Sequence, residues 1–320
     1  MSEATFNVRL FQPEDLAGIL KLWEDHSGWG GITEQQWQSW YMNTPWGESV
    51  VVVVEDLENQ IVGQGILTPF PFKVDHRSGL AYRISAPILM EEVRAGRVIN
   101  PNHPSRRMLD VGVAEVRARG GVAAYAMPLI SWRGFFRRIP GFHVQEYGCA
   151  RIDLDSNTTP RDPELKVEVC HSFGIEHSDL WQDAVAEMPI YTALERTEAL
   201  WNYRLRGKLV LNIKTSSGDL VGYVAIKRES GLLLDMLARN DRDLKLVIRA
   251  AVGAIQERPD DFGTCPNVLK LMVTPRLEPI VQDLDCQPDD FRFLFTVVST
   301  KADLEPENIE PVQWYLTAGD

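Results

Sequence analysis

Two stretches of the chain, about half its length apart, share one pattern of aromatic, polar and apolar residues. EQQWQSWYMN followed by EDLENQIVGQGIL has a counterpart in RTEALWNYRL followed by KTSSGDLVGYVAI. The Val-Gly pairs of the two stretches place Gly63 and Gly222 159 positions apart in a chain of 320 residues. Internal similarity at a fixed separation indicates one supersecondary unit built more than once. The sequence therefore predicts two domains of similar plan.

The hydrophobic periodicity of the first half predicts strands and helices in alternation. Thr5–Phe11 alternates as a strand, and Thr33 with Gln36 forms a capping box that starts a helix. The run VVVVVEDLENQIVGQGILTPFPF predicts a β-hairpin. Leu80–Val93 is typical of extended chain, and Pro104–Arg119 of a helix closed by Gly-Gly. With the segments that follow, the predicted order is β-α-α-β-β-β-α-β-α-β.

We predict an α/β fold of two tandem domains, each a mixed, mostly antiparallel sheet flanked by helices. The first domain would span residues 1–154 and the second residues 167–320. Residues 155–166, which include SNTTPRDPE, have the Pro-rich and polar composition of a linker.

The charge and apolar patterns exclude several classes of function. A net charge of −12 and a pI near 5.1 oppose a nucleic-acid partner, which needs a positive surface. No stretch approaches the roughly 18 apolar residues of a membrane span, and the N-terminal residues lack a signal-peptide pattern. Four scattered cysteines form no C-x-x-C pair and predict neither a zinc site nor a disulfide framework. We expect a cytoplasmic protein with no metal, nucleic-acid or membrane partner.

Several stretches resemble the GNAT (N-acetyltransferase) superfamily, above all its members with two tandem units. WQSWYMNTPWGESVVVVVED and IVGQGILTPFPF resemble the helix ending in Trp-Tyr and the second and third strands of that family. EVRARGGVAAYAMPLISWRGFFRRIPGF, which ends at residue 142, resembles the third helix, the fifth strand and the exit through Gly-Phe. LWNYRL and LVGYVAIKR resemble the corresponding helix and strand of a second unit. The resemblance implies two GNAT-like domains, of which the first binds an acyl-CoA.

In that family acyl-CoA lies where the fourth and fifth strands splay apart. Unpaired backbone groups of the fourth strand bond the pantetheine, and the N-terminus of the next helix holds the pyrophosphate. The resemblance implies these cofactor-binding residues here: Met90, Val93, Arg94, Ser105, Arg106, Arg107, Ser131, Arg133 and Arg137.

The phosphate-binding loop departs from the family pattern, which has glycines where this chain has NPNHPSRRML. Without them, the phosphates would be held by Ser105, Arg106 and Arg107. An equal alternative is that Pro104 and Ser105 only start a helix and that the arginines are solvated. We expect His103, in the same loop, at the protein surface.

The resemblance also implies a carboxylate base on the fourth strand, which points to Glu91 and Glu92. Adjacent strand residues face opposite sides of a sheet, so only one could reach the cleft, and alternation does not choose between them. A solvated charge at the rim of the sheet is the alternative for either. Arg137 stands where the family has a tyrosine that reprotonates the leaving thiolate.

The aromatic residues near the N-terminus divide by local context. Trp37 and Trp40, three positions apart on one predicted helix, are typical of a core. Trp29 and Trp46 lie in Gly- or Pro-containing loops, which makes them candidates to line an acceptor pocket.

We predict an acyl-CoA-dependent N-acyltransferase, using acetyl-CoA or a related acyl-CoA, that acts on a small amine by direct attack. The second domain would be structural, completing the acceptor pocket or providing an interface. FRFLFTVVSTKADL would serve as an exposed edge between domains or protomers, which leaves a homodimer open. The alternatives are a non-catalytic GNAT-fold ligand-binding or interaction protein, a competent second unit, and an aminoacyl transferase. The acidic charge opposes the last of these, because a tRNA needs a basic face.

Overall fold

The protein forms two compact units in a computed structural model. The structure describes residues 6–74, 77–94, 100–154, 164–188, 190, 192–263, 267–284, 286–301 and 314–320. The first unit comprises Met1–Val144 and Phe295–Pro311, and the second comprises Gln145–Leu294 and Val312–Asp320. Each unit is therefore built from two separate stretches of the chain.

The first unit contains, in chain order, β1 (Asn7–Leu10), α1 (Leu16–His26), α2 (Glu34–Trp37), β2 (Val50–Glu55), β3 (Ile61–Val74), β4 (Arg77–Leu89), α3 (Glu91–Arg94), α4 (Pro104–Ala118), β5 (Ala123–Ala126) and α5 (Arg133–Phe136). The predicted capping box is confirmed, because the Thr33 hydroxyl accepts from the Gln36 N–H at the start of α2. A π-helical turn, Gln38–Met42, continues α2.

The second unit contains β6 (Phe142–Asp153, from Gln145 onward), β7 (Leu165–Cys170), α6 (Ile175–Glu187), β8 (Thr192–Leu194), α7 (Glu198–Arg204), β9 (Leu209–Thr215), β10 (Leu220–Lys227), β11 (Leu232–Ala238), α8 (Asp241–Glu257), β12 (Val268–Val273), α9 (Glu278–Asp283), β13 (Gln287–Ser299, as far as Leu294) and β14 (Trp314–Tyr315). The segment from β7 to β13 repeats the order of elements from β1 to β6, except that it adds β8 and has no counterpart of α3.

The sheet of the first unit has the strand order β1-β2-β3-β4-β5 and ends with the last residues of β13. All neighbours are antiparallel except β4 and β5, which are parallel. α4 packs on one face over Val52, Leu67 and Tyr82, and α1 and α2 pack on the other over Val51 and Ile66. The strand β2 reads VVVVV because both of its faces are covered.

The sheet of the second unit has the order β6-β12-β11-β10-β9-β7. Here β11 and β12 are the parallel pair, and β14 pairs in parallel with β8. The amphipathic helix α8 buries Leu244, Val247 and Ile248 against this sheet. The predicted mixed, mostly antiparallel sheets flanked by helices are confirmed in both units.

Two strands, β6 and β13, are each divided between the two units. From Gln145 the strand β6 belongs to the second unit, where Gly148–Asp153 pairs with β12. From Phe295 the strand β13 belongs to the first unit, where Thr296–Ser299 pairs with β5. This division differs from the predicted boundary, and most of the predicted linker 155–166 lies outside the described residues. Because it pairs with β5 and is largely buried, the Phe295–Ser299 part of FRFLFTVVSTKADL does not form the expected exposed edge.

The predicted extended stretch Leu80–Val93 is wrong at its end. Strand β4 stops at Leu89, and residues 91–94 form the single helical turn α3. Among the described residues no helix is long and apolar enough to cross a membrane.

Candidate functional site

The two parallel strands of the first unit separate after three paired positions. Ala81, Tyr82 and Arg83 of β4 pair with Ala123, Ala124 and Tyr125 of β5. Beyond Arg83, β4 continues for six residues, of which four pair with β3 and none with β5, whereas β5 continues alongside β13. The strand edge from Ile84 to Leu89 therefore faces an opening between β4 and β5.

A β-bulge lies on β4 at this opening. The pairing with β3 shifts between Gln64 and Ile66, so Ala86 and Pro87 together oppose Gly65. Ala86 has a positive φ of 46°, which is unusual for a residue other than glycine. The side-chain Nε2 of the fully buried Gln64 lies 3.5 Å from the Ala86 carbonyl oxygen. Bulges bend a strand and end its pairing, which accounts for the divergence of β4 from β5.

Ile84 and Ala86 were not among the residues predicted from the sequence. The signal that could have revealed them is Pro87, because proline within a strand marks an edge or a bulge.

The N-terminus of α4 borders the same side of the sheet and is capped by His103. The His103 Nδ1 accepts from the Ser105 N–H at 3.2 Å, and the His103 carbonyl accepts from the N–H groups of Arg106 and Arg107. In the described part of this loop, the first amides of the helix are thus all paired. The expectation that His103 lies at the surface is wrong, since it is 6% exposed. Burial lowers its pKa, which is consistent with a neutral ring that accepts at Nδ1.

Two of the predicted phosphate ligands have partners within the first unit. The Arg106 Nε lies 2.9 Å from both carboxylate oxygens of Asp110, one helical turn along α4. The Arg107 guanidinium donates to the Phe6 carbonyl at 2.7 Å. Ser105 is half-buried. Among these side chains, Arg106 keeps a partly exposed position next to the helix N-terminus.

The predicted bases lie on α3 and not on a strand. Glu91 and Glu92 are both exposed, so the argument that only one could face the cleft does not apply. The Met90 N–H still pairs with the Val62 carbonyl of β3, which fixes the start of this turn at the end of β4. Val93 is a buried core residue under α4, and Arg94 is exposed.

The segment after β5 packs on α4 at the opening. Phe136 is buried against Leu109 of α4, with Ile84 of β4 in the same cluster. The predicted binding residues on this segment, Ser131, Arg133 and Arg137, are all exposed. The segment therefore places its aromatic side chains in the cluster and its polar side chains in solvent.

A row of aromatic rings extends from the opposite face of the sheet to the solvent. Trp37 is fully buried, as expected, but Trp40 is 46% exposed and is not a core residue. The Trp23 ring lies 5.7 Å from Trp29 and 6.4 Å from Tyr41. Trp23, Trp37 and Tyr41 share one apolar cluster with Ala86 of β4 and with Met90, which follows that strand. Trp29, 65% exposed, ends this row, whereas Trp46 packs separately against Phe70.

The second unit contains a cysteine, a histidine and an asparagine in proximity, but their hydrogen bonds do not suit nucleophilic catalysis. The His177 Nδ1 accepts from the Gly174 N–H, so in the neutral ring the proton is on Nε2, which lies 3.1 Å from the Asn212 Oδ1. That same Nε2 is 3.8 Å from the Cys170 sulfur and cannot accept the thiol proton. Burial raises the pKa of Cys170. In the described residues no group of three or more potential ligands could hold a metal ion.

No family model matches the sequence, and no curated protein is significantly similar to it. Solved structures do resemble the fold. A GCN5-related N-acetyltransferase from Anabaena variabilis superposes with a TM-score of 0.67 at 11% identity, covering 92% of this chain and 73% of the other. A probable N-acyltransferase of unknown function from Enterococcus faecalis gives 0.64 at 13% identity, covering 93% and 73%. Saccharomyces cerevisiae N-myristoyltransferase with bound myristoyl-CoA gives 0.57 at 11% identity, covering 98% and 88%.

Proposed function

Because the chain has the fold of the GCN5-related N-acetyltransferases, we propose that its first unit is an acyl-CoA-dependent N-acyltransferase acting on a small amine. The observation that carries this proposal is the opening between β4 and β5 beside the bulge at Ala86 and Pro87. The backbone N–H and C=O groups of such an edge need hydrogen-bond partners, which water supplies when no ligand is bound. The amides of a pantetheine arm are suitable partners for that edge.

The residues around the opening fit the two ends of an acyl-CoA unequally. The edge from Ile84 to Leu89 suits the pantetheine. At the phosphate end, α4 offers a positive first turn but its amides are already paired to His103. Binding of the pyrophosphate at these amides would require the His103 side chain to leave the Ser105 N–H.

The bound thioester would supply the acyl group, and the chain would hold the amine and receive its proton. Glu91 and Glu92 stay the proposed bases, since α3, which contains them, begins two residues after the end of β4. Both are solvated, so we propose proton transfer from the amine by way of water. Arg137 is an exposed cation and supplies no proton to the thiolate, which would leave unaided.

The aromatic row is the proposed acceptor surface, with Trp29 as its exposed end. Rings bind cationic amines through their negative faces, at about 0.5–1 kcal/mol for an exposed site. The side chains of Glu24, Asp25 and Glu34, on or beside α1 and α2, are exposed and add negative charge. These features favour an acceptor that is protonated in solution.

Thermal unfolding with and without acetyl-CoA tests the proposal. A ligand at a hundred times its Kd stabilises the native state by about 2.7 kcal/mol, which is readily seen as a higher Tm. Thiol release across a panel of small amines then tests turnover. No Tm shift with acetyl-CoA or longer acyl-CoAs would refute the proposed function.

A second candidate is a GNAT-fold protein that binds a ligand without turnover. The paired amides at the start of α4 and the solvated Glu91 and Glu92 favour it. Acyl-CoA binding without thiol release for any amine in the panel would support this candidate over the enzyme.

A further inference from the structure

The groove of the second unit that corresponds to the opening of the first is occupied by a segment of the same chain. Strand β11 pairs with β12 at only one position, Leu232 with Lys270, and then diverges from it as β4 does from β5. Residues 314–320 bond to the edge of β11 that this divergence exposes. The Gly319 N–H donates to the Leu234 carbonyl at 2.7 Å, and the Tyr315 hydroxyl donates to the Met236 carbonyl at 2.6 Å.

These two carbonyls lie on the edge of β11 that corresponds to the free edge of β4, where we propose the pantetheine arm. They lie two residues apart and therefore point from the same edge of the strand. Beside this edge lies a cavity of about 20 Å³ bounded by Met236, Thr274, Leu277 and the segment itself. That volume holds about one water molecule and excludes a cofactor.

A buried ionic cluster fastens the segment in place. Arg196 is fully buried and lies 2.8 Å from the Asp320 carboxylate and 3.3 Å from that of Asp235. The Asp320 carboxylate also accepts from the N–H and hydroxyl of Thr317, which closes the segment into a turn. Arg204 donates to the Asp320 main-chain oxygen at 3.1 Å.

Aromatic side chains enclose this cluster. The Arg196 guanidinium lies 4.6 Å from the centre of the Tyr315 ring. It lies 5.5 Å from the Trp201 ring and 5.6 Å from the Trp181 ring. A guanidinium between aromatic faces is stabilised without water. Tyr315 therefore contributes both the hydrogen bond to β11 and one wall of the Arg196 site.

The first turn of α8, the helix that follows β11, carries two carboxylates, Asp241 and Asp243, of which Asp241 is ion-paired with Arg276 at 2.7 Å. Asn240 caps the same turn. Carboxylates at a helix N-terminus satisfy the positive end of the dipole and repel a second anion. The backbone edge and the helix start of this groove are thus both already taken by the protein.

We propose that Trp314–Asp320 is the permanent occupant of the second unit's groove, in place of an acyl-CoA, so that the chain binds a single acyl-CoA. Hydrogen exchange on the full chain tests the occupant directly. The amides of Thr317 and Gly319 should exchange within about tenfold of those of β11, as expected for one cooperative unit. Exchange as fast as at the exposed turn Ser216–Gly218 would overturn the proposal.

A matched pair of glycine variants tests the close approach of Gly319 to the Leu234 carbonyl. In Gly319→Ala the added Cβ would lie 2.6 Å from the Leu234 carbonyl oxygen, whereas in Gly174→Ala it would meet nothing within 4 Å. Neither glycine has the left-handed φ that alanine would resist. We expect the Thr317 amide to exchange at least tenfold faster in Gly319→Ala and unchanged in Gly174→Ala. Equal exchange in both variants would contradict the proposal.

If Gly319→Ala does not fold, Tyr315→Phe takes its place. This variant keeps the ring beside Arg196 and removes only the hydroxyl that bonds the Met236 carbonyl. We expect the same amides to exchange several-fold faster, and unchanged exchange would count against the proposed occupant.

Calorimetric titration with acetyl-CoA provides the second measurement, which rests on the proposed function of the first unit. One equivalent bound per chain is the expected result, and two equivalents would overturn the inference. No binding would instead refute the proposed function, while the exchange of residues 317 and 319 still decides whether the segment occupies the groove.

Discussion

Strands β4 and β11 hold the same place in their units, yet their free edges differ. Beyond the parallel pairing, the edge of β4 runs from Ile84 to Leu89 beside the opening, whereas β11 bonds to Tyr315 and Gly319 of the same chain. The first turn of α4 contains Ser105 and Arg106, whereas the first turn of α8 in the second unit begins with Asp241. One fold thus presents an open, positive groove in the first unit and a filled, negative one in the second. The fold alone does not decide whether a groove takes a ligand.

The largest effect is expected from removing the cation that holds the second groove closed. Arg196→Met leaves the Asp235 carboxylate buried without its positive partner and leaves Asp320 with Arg204, whose guanidinium lies 3.8 Å from its carboxylate. Breaking a buried ion pair in this way costs about 3–5 kcal/mol. Urea unfolding monitored by exchange of β11 should show that loss in the second unit.

An exposed pair provides the control for that measurement. Arg239 and Asp183 lie 3.0 Å apart with both side chains half exposed. Arg239→Met should therefore change the free energy of unfolding by about 1 kcal/mol or less. A similar loss in both variants would show that the Arg196 cluster does not hold the segment.

The next effect follows from giving the first groove the charge of the second. Ser105→Asp places a carboxylate in the first turn of α4, as Asp241 does in α8. The carboxylate should stabilise the helix by about 0.3–1 kcal/mol but weaken acetyl-CoA binding by roughly tenfold. Titration calorimetry measures both the affinity and the stoichiometry. Ser105→Asn, similar in shape but neutral, should bind as the wild type does, and an equal loss in both would exclude charge as the cause.

A smaller effect is expected at the cap of α4. His103→Ala removes the acceptor from the Ser105 N–H, which should cost about 1 kcal/mol of stability. The freed amide can then bond a phosphate oxygen, so acetyl-CoA affinity should rise several-fold. His103→Asn keeps an acceptor at the cap and should leave the affinity unchanged. Weaker binding in the alanine variant would show that His103 itself contacts the ligand.

The smallest effect concerns pH, because the pKa values of buried carboxyl groups shift in opposite directions in the two units. In the first unit, burial tends to raise the pKa of Asp15, but hydrogen bonds from Arg9 and the Gln12 N–H outweigh it and lower the pKa overall. A carboxyl with a lowered pKa adds stability above its unfolded pKa, about 3.9, and loses it as the pH falls. In the second unit, burial raises the pKa of Asp235 and outweighs the opposing charge of Arg196. Protonation of Asp235 at low pH therefore favours the folded state of this unit over the unfolded state.

We therefore expect the stability that Arg9 contributes to the first unit to decline between about pH 5 and pH 3. Urea unfolding of Arg9→Met and the wild type over this range should show the difference between them shrinking. A constant difference would mean that the Arg9–Asp15 pair does not govern acid unfolding of this unit.

Local patterns in the sequence predicted much of each unit. The hairpin of β2 and β3, the capping box at Thr33 and the helix from Pro104 were expected and are present. Each depends on residues close together in the chain, where periodicity and capping chemistry act. The proposed site was predicted less well, because Glu91 and Glu92 were assigned to a strand that ends two residues earlier. Periodicity does not show where a bulge such as Ala86–Pro87 alters a strand.

By itself, the sequence predicted the repeat and determined the α/β order of elements and the resemblance to a GNAT unit, since these depend on contiguous residues. Only the tertiary structure decided which strand completes which sheet. Nothing near Phe295 indicates that Thr296–Ser299 pairs with β5, or that Gly319 bonds to Leu234. Such pairings join residues far apart in the chain through backbone groups that nearly every residue carries. The local sequence therefore does not indicate which partner is chosen.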